Sequence, residues 1–404
     1  MLYSEEIMQS FKSYLVEEAV EGEKLKHITH AEDRPLQKGA EGFQHAYNAL
    51  NQAHEHIKSG GNSSALTMKY DGSPSLVFGH NPENKKFFVA SKSAFNKTPK
   101  LNYTHNDILK NHGHAPGLMA KLHDSLNHLK KIAPKTGVYQ GDLMFSGDDK
   151  KETKHGVSFT PNTITYTAKG DQADKIRKAK LGIIVHQQYH GKDIASMKAD
   201  PHPDLHNFSH HPDVWQKSAN MDTRQVHYSD KDQEQFNKHM AAAKKIHDEA
   251  GKDMYRAVAP HSGAGGHLEQ YINNTVRTDE KPSSEGLQNF IQTKIKKDAS
   301  KLKTPAAQGR KEAEINAHLK HIKDNKKHYD NLLKMHEHLQ KAKDTLVDVL
   351  NQHTGGLEHD IDGKKTDPEG FVVNHAGEPT KLVNRKEFSK ANLLKVRKIG
   401  RAHV

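Results

Sequence analysis

The segment ALTMKYDGSPSLVF, residues 65–78, contains the pattern on which the fold prediction rests. Its two apolar runs flank the turn sequence Asp71-Gly72, which is typical of two strands joined by a tight turn. Further strand-like runs follow it at residues 86–90, 137–140, 164–167, 181–185, 371–373 and 381–383. Elsewhere apolar residues recur mostly at helical spacing. The sequence therefore predicts an α+β protein whose antiparallel sheets are flanked by helices.

Composition divides the chain into three parts. The strand-rich residues 1–192, which open with an amphipathic helix pattern over residues 1–25, precede a charged, histidine-rich stretch over residues 193–365. Strand signals return over residues 366–404. We therefore expect one body built from the first and last parts, interrupted by a long helical insertion. Its best predicted helices are residues 230–257, 285–302 and 308–352.

The overall composition excludes several classes of protein. The chain has 404 residues and no cysteine, which excludes disulfides, thiolate zinc sites and a cysteine nucleophile. Lys and Arg number 61 against 50 Asp and Glu, and the net charge of +11 favours a polyanionic partner such as nucleic acid. No stretch approaches 18 apolar residues, so we expect no membrane span and a cytoplasmic location.

Lys69 ends the first strand of the opening segment, immediately before the turn. Its amine would lie on the floor of a cleft, where burial and neighbouring cations would lower its pKa and make it a nucleophile. Gly72 would let the chain turn and let a phosphate approach. Because Asp-Gly is also a common hairpin signal, this motif taken alone favours a plain hairpin.

Three further pieces follow Lys69 in chain order. Gly141-Asp142 closes a strand, Glu369-Gly370 opens another, and Lys381 begins the last. With Lys69-Tyr70-Asp71-Gly72, this order resembles the covalent nucleotidyltransferase superfamily of ATP-dependent DNA ligases, RNA ligases and mRNA capping enzymes. Residues 181–185 fall where that superfamily has a further strand of its nucleotide pocket.

Several phrases look more closely like a family of uncharacterised tailed-bacteriophage proteins, in which case the location would be the host cytoplasm. This resemblance covers about residues 27–192 and 366–395. The phrases are His30-Ala31-Glu32-Asp33, Lys69-Tyr70-Asp71-Gly72-Ser73-Pro74, Tyr139-Gln140-Gly141-Asp142, residues 159–166 and residues 181–186.

The sequence departs from the superfamily pattern in three ways. Ser73 follows the nucleophile motif where DNA ligases and capping enzymes usually have arginine, which resembles the RNA-ligase branch. Lys92 agrees with that branch, which has a basic residue after its first hairpin. Asp142 is one methylene shorter than the usual Glu. The 21 residues after Val383 are too few for an OB-fold, so none is expected at the C-terminus, and the helical insertion could replace it.

The resemblance implies an ATP-dependent polynucleotide ligase, RNA-ligase-like, that joins 5′-phosphate and 3′-hydroxyl ends through a lysyl-AMP intermediate. Lys69 would be the nucleophile, and Lys381, with Lys92, would neutralise the α-phosphate of ATP. Asp71 and Gly72 would shape the nucleotide pocket, with Asp71 fixing the turn or orienting Lys69. Asp142 and Glu369 would hold the ribose or Mg²⁺. The adenine-stacking ring would be Tyr139, Phe88 or Tyr166.

Alternatives remain at this point. The chain could be an inactive, ligase-like nucleic-acid-binding protein, or a nucleotidyltransferase that adenylylates a protein or a small molecule. The insertion could grip phosphates through lysines 294, 296, 297, 326 and 327, or be a solvated helical bundle. Its histidines at 318, 321, 328, 336 and 338 are expected on a solvated or phosphate-facing surface. Glu32-Asp33 could cap a helix or support the active site.

Overall fold

The computed structural model describes residues 28–385, so the helix predicted over residues 1–25 lies outside the described residues. The described part folds into nine α-helices and fifteen strands that form three sheets. Nearly all strand pairs are antiparallel, and helices flank the sheets. The predicted α+β class is therefore confirmed.

The helices begin and end largely where local sequence signals place them. They are α1 (Arg34–Ser59), α2 (His105–His112), α3 (Pro116–Leu129), α4 (Gly170–Lys178), α5 (Asp230–Val258), α6 (His267–Thr278), α7 (Ser284–Ala299), α8 (Pro305–Asp324) and α9 (Lys326–Leu350). Residues 105–132, whose apolar residues also recur at helical spacing, and the helix predicted over 308–352 are each two helices. The first is interrupted before Pro116, because the residue preceding a proline disfavours helical dihedrals. The second is interrupted at Asn325, whose backbone is not helical.

The first sheet, sheet A, contains the strand that ends at Lys69. Its strands are β1 (Asn62–Lys69), β11 (Asn220–Asp222), β14 (Gly370–His375) and β15 (Glu378–Leu382), in the order β11-β1-β14-β15. Ala376 and Gly377 join β14 to β15 with φ of 50° and 77°. Positive φ at both central residues gives the tight hairpin turn that suits the twist of the strands.

The second sheet, sheet B, contains Asp142. Its strands are β2 (Ser75–His80), β3 (Phe87–Ala90), β4 (Val138–Ser146), β8 (Leu181–His190), β9 (Lys198–Asp200) and β10 (Val214–Ser218). Their order is β10-β8-β4-β2-β3, with β9 on the end of β8. Leu181, Ile183 and Val185 pack into one apolar core and Ile184 into another. As the apolar sequence predicts, β8 is a central strand covered on both faces.

The third sheet, sheet C, is formed by strands that follow Gly141-Asp142 in the chain. Its strands are β5 (Lys150–Thr153), β6 (Gly156–Phe159), β7 (Thr165–Ala168), β12 (Glu358–Ile361) and β13 (Lys364–Lys365), in the order β13-β12-β7-β6-β5. Here β12, from late in the chain, pairs with β7. Sheet C therefore ties the C-terminal end of the expected insertion to the body.

The helical part of the insertion covers fewer residues than the predicted range, 193–365. Strands β9 to β13 lie inside that range, yet β9 and β10 belong to sheet B, β11 to sheet A, and β12 to sheet C. Strands of two to five residues are too short to show a periodicity, which is why the sequence pattern did not separate them from the helices. The helices span residues 230–350, and several share one apolar core with α1.

Candidate active site

The register of sheet A places Lys69 and Lys381 on the same face. Lys69 lies opposite Gly370, and Thr67 lies opposite Val372, which in turn pairs with Lys381. Side chains directly opposite each other share a face, and residues two apart along a strand share a face as well. The side chains of Lys69 and Lys381 therefore project from sheet A on one side.

Glu369 reaches the same face from the residue before β14. Its Oε2 atom lies 2.5 Å from Lys69 Nζ, although the two residues are 300 positions apart in sequence. The Lys69 side chain is 28% exposed and that of Glu369 13% exposed. The structure thus brings Lys69-Tyr70-Asp71-Gly72 and Glu369-Gly370 into direct contact, at a place that solvent can reach.

The loop after Lys69 brings Asp142 of sheet B to the same place. A Cβ atom on Gly72 would lie 2.5 Å from Asp142 Cβ, so only glycine allows this approach. The Ser73 N–H donates to the Leu143 carbonyl over 2.9 Å, which fixes the loop against β4. On β8, His186 Nε2 lies 3.4 Å from Asp142 Oδ1.

The pKa of Lys69 differs from the sequence-based expectation. Burial lowers it, but Glu369, and then Asp142 and Asp71, oppose that effect, and the pKa is raised above its ordinary value. The expectation of a lowered pKa was wrong because neighbouring carboxylates outweigh burial at this position. Burial raises the pKa of Glu369, and the Lys69 ammonium only partly offsets it. The contact thus joins an amine that holds its proton to a carboxylate with raised proton affinity.

Lys381 has the opposite character. Burial, followed by the charge of Lys69, lowers its pKa to about 8. Lys92, exposed on the turn after β3, also lowers it, so the two lysines face a common region. Within residues 28–385, the Lys381 ammonium has no carboxylate at ion-pair distance. A half-buried cation beside Lys69 that has no carboxylate at ion-pair distance among the described residues is suited to bind an anionic group.

Asp71 holds a neighbouring loop. Its carboxylate accepts hydrogen bonds from the Asn162 amide (2.8 Å) and from the backbone N–H groups of Thr163 (2.7 Å) and Ile164 (2.9 Å). Its own N–H donates to Tyr166 Oη over 2.7 Å. Asp71 therefore fixes the segment between β6 and β7 against the turn that carries Lys69.

The three rings proposed for adenine stacking are all packed. Tyr139, Phe88 and Tyr166 are 3%, 0% and 1% exposed. Tyr139 packs against Phe78 and Phe208, and Phe88 against Tyr103, away from Lys69. Tyr166 borders the site through its hydrogen bond to Asp71, but its ring is covered. None of these three rings offers an open face in this structure.

Behind Lys381 lies a second group of charged residues, which we call the anchor cluster: Glu32, Asp33, His336, Lys343 and Arg385. Lys343 Nζ lies 2.6 Å from Glu32 Oε1, and both side chains are inaccessible to solvent. Arg385 Nη1 donates to both Asp33 oxygens, over 2.9 and 2.8 Å. Glu32 and Asp33 make no helix-capping hydrogen bond, so they are buried ion-pair partners instead.

His336 belongs to the anchor cluster as well, and its predicted place on a solvated helix surface was wrong. It is 3% exposed, and its Nε2 lies 2.9 Å from Asp33 Oδ1. Helical spacing alone could not reveal this, because the face of α9 that carries His336 is covered by residues 300 positions away.

Sequence reasoning also missed two residues that contact the predicted ones. His186 faces Asp142, and Asn162 binds Asp71. Both lie inside the phrases that carried the phage-family resemblance, residues 181–186 and 159–166. A polar residue that directly follows a buried apolar strand run was the available signal for His186.

The donor set of the site fits the groups that the resemblance implies. Asp142 and Glu369 supply the hard carboxylate oxygens that Mg²⁺ prefers, and Lys381 and Lys92 supply positive charge for phosphate. Buried groups of both charges stand where two sheets meet. The residues present could therefore hold a nucleotide phosphate and its metal ion.

Comparisons with known proteins add a family but no activity. None of the helices in residues 28–385 combines the length and apolar character that a bilayer crossing requires. Neither a curated protein nor a solved structure matches the chain. Residues 25–397 match a family described as "Family of unknown function (DUF6267)". Because that match covers most of the sequence, the chain belongs to the DUF6267 family.

Proposed function

We propose that this protein is an ATP-dependent polynucleotide ligase of the RNA-ligase-like type, which joins 5′-phosphate and 3′-hydroxyl ends through a lysyl-AMP intermediate. The observation that supports it is the convergence of Lys69, Glu369, Lys381 and Asp142 from two sheets. The plain-hairpin interpretation is wrong, because β1 and β2, which flank the turn after Lys69, belong to different sheets. Such an enzyme would act in the cytoplasm, that of the host if the chain is phage-encoded.

In the first step the Lys69 amine attacks the α-phosphorus of ATP. A nitrogen–phosphorus bond forms, the bond to the bridging oxygen breaks, and pyrophosphate leaves. Lys69 must first lose a proton, and Glu369, 2.5 Å away with a raised pKa, is placed to accept it. Lys381 and Lys92 would offset the negative charge that develops on the phosphate. Asp142, together with Glu369 until it takes that proton, would hold Mg²⁺, which would supply Lewis-acid chemistry at the phosphate oxygens.

In the later steps the two nucleic-acid ends react in turn, after pyrophosphate has left. A 5′-phosphate oxygen attacks the AMP phosphorus and Lys69 departs, which leaves AMP joined to the end through a pyrophosphate link. A 3′-hydroxyl then attacks the 5′-phosphorus, loses its proton, and AMP leaves. The net charge of +11 supports a polyanionic partner.

The lysines proposed to grip nucleic acid differ in availability. Lys296 and Lys297 on α7 and Lys327 on α9 are exposed. Lys326 pairs with Asp330 and Glu285, at 2.8 and 3.2 Å, and Lys294 donates to Gln270. A phosphate grip would therefore depend mainly on the three exposed lysines.

Incubation with α-labelled ATP and Mg²⁺, followed by denaturing electrophoresis, tests the proposal. We expect a labelled protein that is heavier by one AMP, and no label on Lys69→Arg. The matched control is Lys217→Arg. Burial lowers the pKa of Lys217 to about 8, so on pKa alone Lys217 would be a better nucleophile than Lys69. Label that survives Lys69→Arg, or that is lost only with Lys217→Arg, would overturn the assignment.

Nucleic acid joining is tested separately. Nicked duplexes and single strands of RNA and DNA, each with 5′-phosphate and 3′-hydroxyl ends, should be sealed by the wild type and not by Lys69→Arg. Transfer of AMP to a protein or small molecule, without any sealing, would instead assign the chain to the other nucleotidyltransferase class. Absence of both label and sealing would favour an inactive nucleic-acid-binding protein.

A further inference from the structure

Three histidines from separate elements meet beside the N-terminus of α6. His261 ends a short 3-10 turn, His267 is the first residue of α6, and His318 lies on α8. One ring nitrogen of each lies within 4.8 Å of those of the others. His261 Nε2 and His318 Nδ1 are only 2.9 Å apart. His318, which is partly exposed, thus faces two other histidines.

The glycine-rich segment between His261 and His267 is held in place. The Gly263 N–H donates to the Leu36 carbonyl over 3.0 Å, and the Gly265 N–H donates to Glu269 Oε2 over 2.6 Å. Gly263 and Gly265 have φ of 99° and 70°, which other residues rarely adopt. The fold therefore brings His261 and His267 together through fixed backbone contacts.

A tyrosine orients the innermost histidine. His261 is 1% exposed and Tyr329 is fully buried, and His261 Nδ1 lies 2.5 Å from Tyr329 Oη. If His261 Nδ1 carries the ring proton and donates it to Tyr329 Oη, Nε2 carries the free lone pair, and that lone pair is directed into the cluster. Histidines that bind metals typically have their other ring nitrogen held in this way.

We propose that His261, His267 and His318 bind one Zn²⁺ ion, with Tyr329 as the positioning residue. Three imidazoles without thiolates suit Zn²⁺, which takes tetrahedral nitrogen ligands, and water would fill the fourth position. The ion would join α8 to α6 and to the turn that precedes it. This site stands apart from the proposed ligase chemistry and does not depend on it.

Zinc affinity of the full chain, measured by competition with a chromogenic chelator, tests the proposal. The chain has 32 histidines, so weak binding elsewhere is expected, and only a tight single equivalent counts. His267→Ala and His318→Ala should each weaken that equivalent about 100-fold, and Tyr329→Phe about 10-fold. The matched control is His321→Ala: its ring lies 5.8 Å from that of His261, but its Nε2 bonds to the Ala257 carbonyl.

Cobalt gives an independent readout of geometry. One equivalent of Co²⁺ should produce the visible absorption of a tetrahedral nitrogen site in the wild type and in His321→Ala, and not in His267→Ala/His318→Ala. Circular dichroism of each variant checks that it folds. The proposal is overturned if the wild type binds no tight equivalent, or if the folded double variant keeps it.

Discussion

Two groups of charged side chains connect the early and late parts of this chain. They differ in whether every cation has a carboxylate partner. In the anchor cluster, Glu32 pairs with Lys343 over 311 positions and Asp33 with Arg385 over 352, and both pairs are buried. In the candidate active site, Lys69 pairs with Glu369, but Lys381 has no acidic partner among the described residues. The candidate site is also partly open to solvent, whereas the anchor cluster is closed.

The difference separates a structural role from a binding role. A buried ion pair in which each charge has an opposite partner can hold elements together and needs no further ion. An unmatched buried cation raises the free energy of the folded state until an anion joins it. The two groups are adjacent, because the Lys381 N–H donates to the Thr29 carbonyl over 2.9 Å, just before Glu32 and Asp33. We infer that the anchor cluster positions β15, and thus Lys381, for the site.

The largest effect is expected where the closed cluster is broken. Lys343→Ala would leave Glu32 buried without a counter-ion and lower the free energy of unfolding by about 3–5 kcal/mol. Urea denaturation measures it. The control replaces the pair together, as Glu32→Leu/Lys343→Met, and should recover most of the loss. An unchanged unfolding midpoint for Lys343→Ala would show that the closed pair does not stabilise the fold.

Breaking the open site should affect activity more than stability. Glu369→Gln removes the group placed to take the Lys69 proton, and we expect self-adenylylation to slow about 100-fold at neutral pH. Single-turnover labelling with α-labelled ATP measures the rate. The control is Glu358→Gln, an exposed carboxylate paired with Lys169 at 2.6 Å, which should leave the rate unchanged. Equal rates in both variants would contradict the role of Glu369.

Lys381→Met should stabilise the protein while it weakens nucleotide binding. The pKa of Lys381 is about 8 in the folded state, below its ordinary value, so the folded state binds fewer protons than the unfolded state above pH 8. Wild-type stability should therefore rise between pH 8 and the unfolded pKa. The variant should be more stable at pH 7 by roughly 1 kcal/mol, after discount for partial exposure, and the gain should vanish near pH 10.5.

Urea denaturation at pH 7 and pH 10.5 checks the stability, and ATP titration checks the affinity. A control variant, Lys92→Met, removes an exposed lysine of the same site and should not stabilise the fold. If Lys381→Met destabilises the protein at pH 7, the amine has a counter-ion in solution and the contrast between the two clusters fails.

The smallest effect concerns five lysines on α7 and α9 that belong to neither cluster. Replacing lysines 294, 296, 297, 326 and 327 with glutamine should lower the slope of log affinity against log salt, by about 0.9 per lost duplex phosphate contact. Because Lys294 and Lys326 already have partners, the triple change at 296, 297 and 327 should account for most of it. The double change at 294 and 326 is the control. Self-adenylylation should be unchanged throughout, and an unaltered slope would make the helices a solvated bundle.

Much of the fold was predictable because its signals are local. The strands predicted at residues 65–70, 75–78 and 181–185 and the helix predicted over 230–257 follow from apolar runs and periodicity. They fall on β1, β2, β8 and α5, although β1 begins at Asn62 and β8 continues to His190. The short strands β9 to β13 were not predictable, since two to five residues in a strand owe their conformation to the partner strand. The division into body and insertion was blurred for that reason.

The sequence by itself determined the α+β class, the end of the first strand after Lys69 and the chain order of Lys69, Asp142, Glu369 and Lys381, because periodicity and strand-breaking residues act through neighbouring residues. Tertiary structure alone decided which charges are matched. It raised the pKa of Lys69, left Lys381 without a partner and buried His336 against Asp33. Strand register and contacts across 300 residues set these electrostatic environments, and neither is written in any local stretch of the chain.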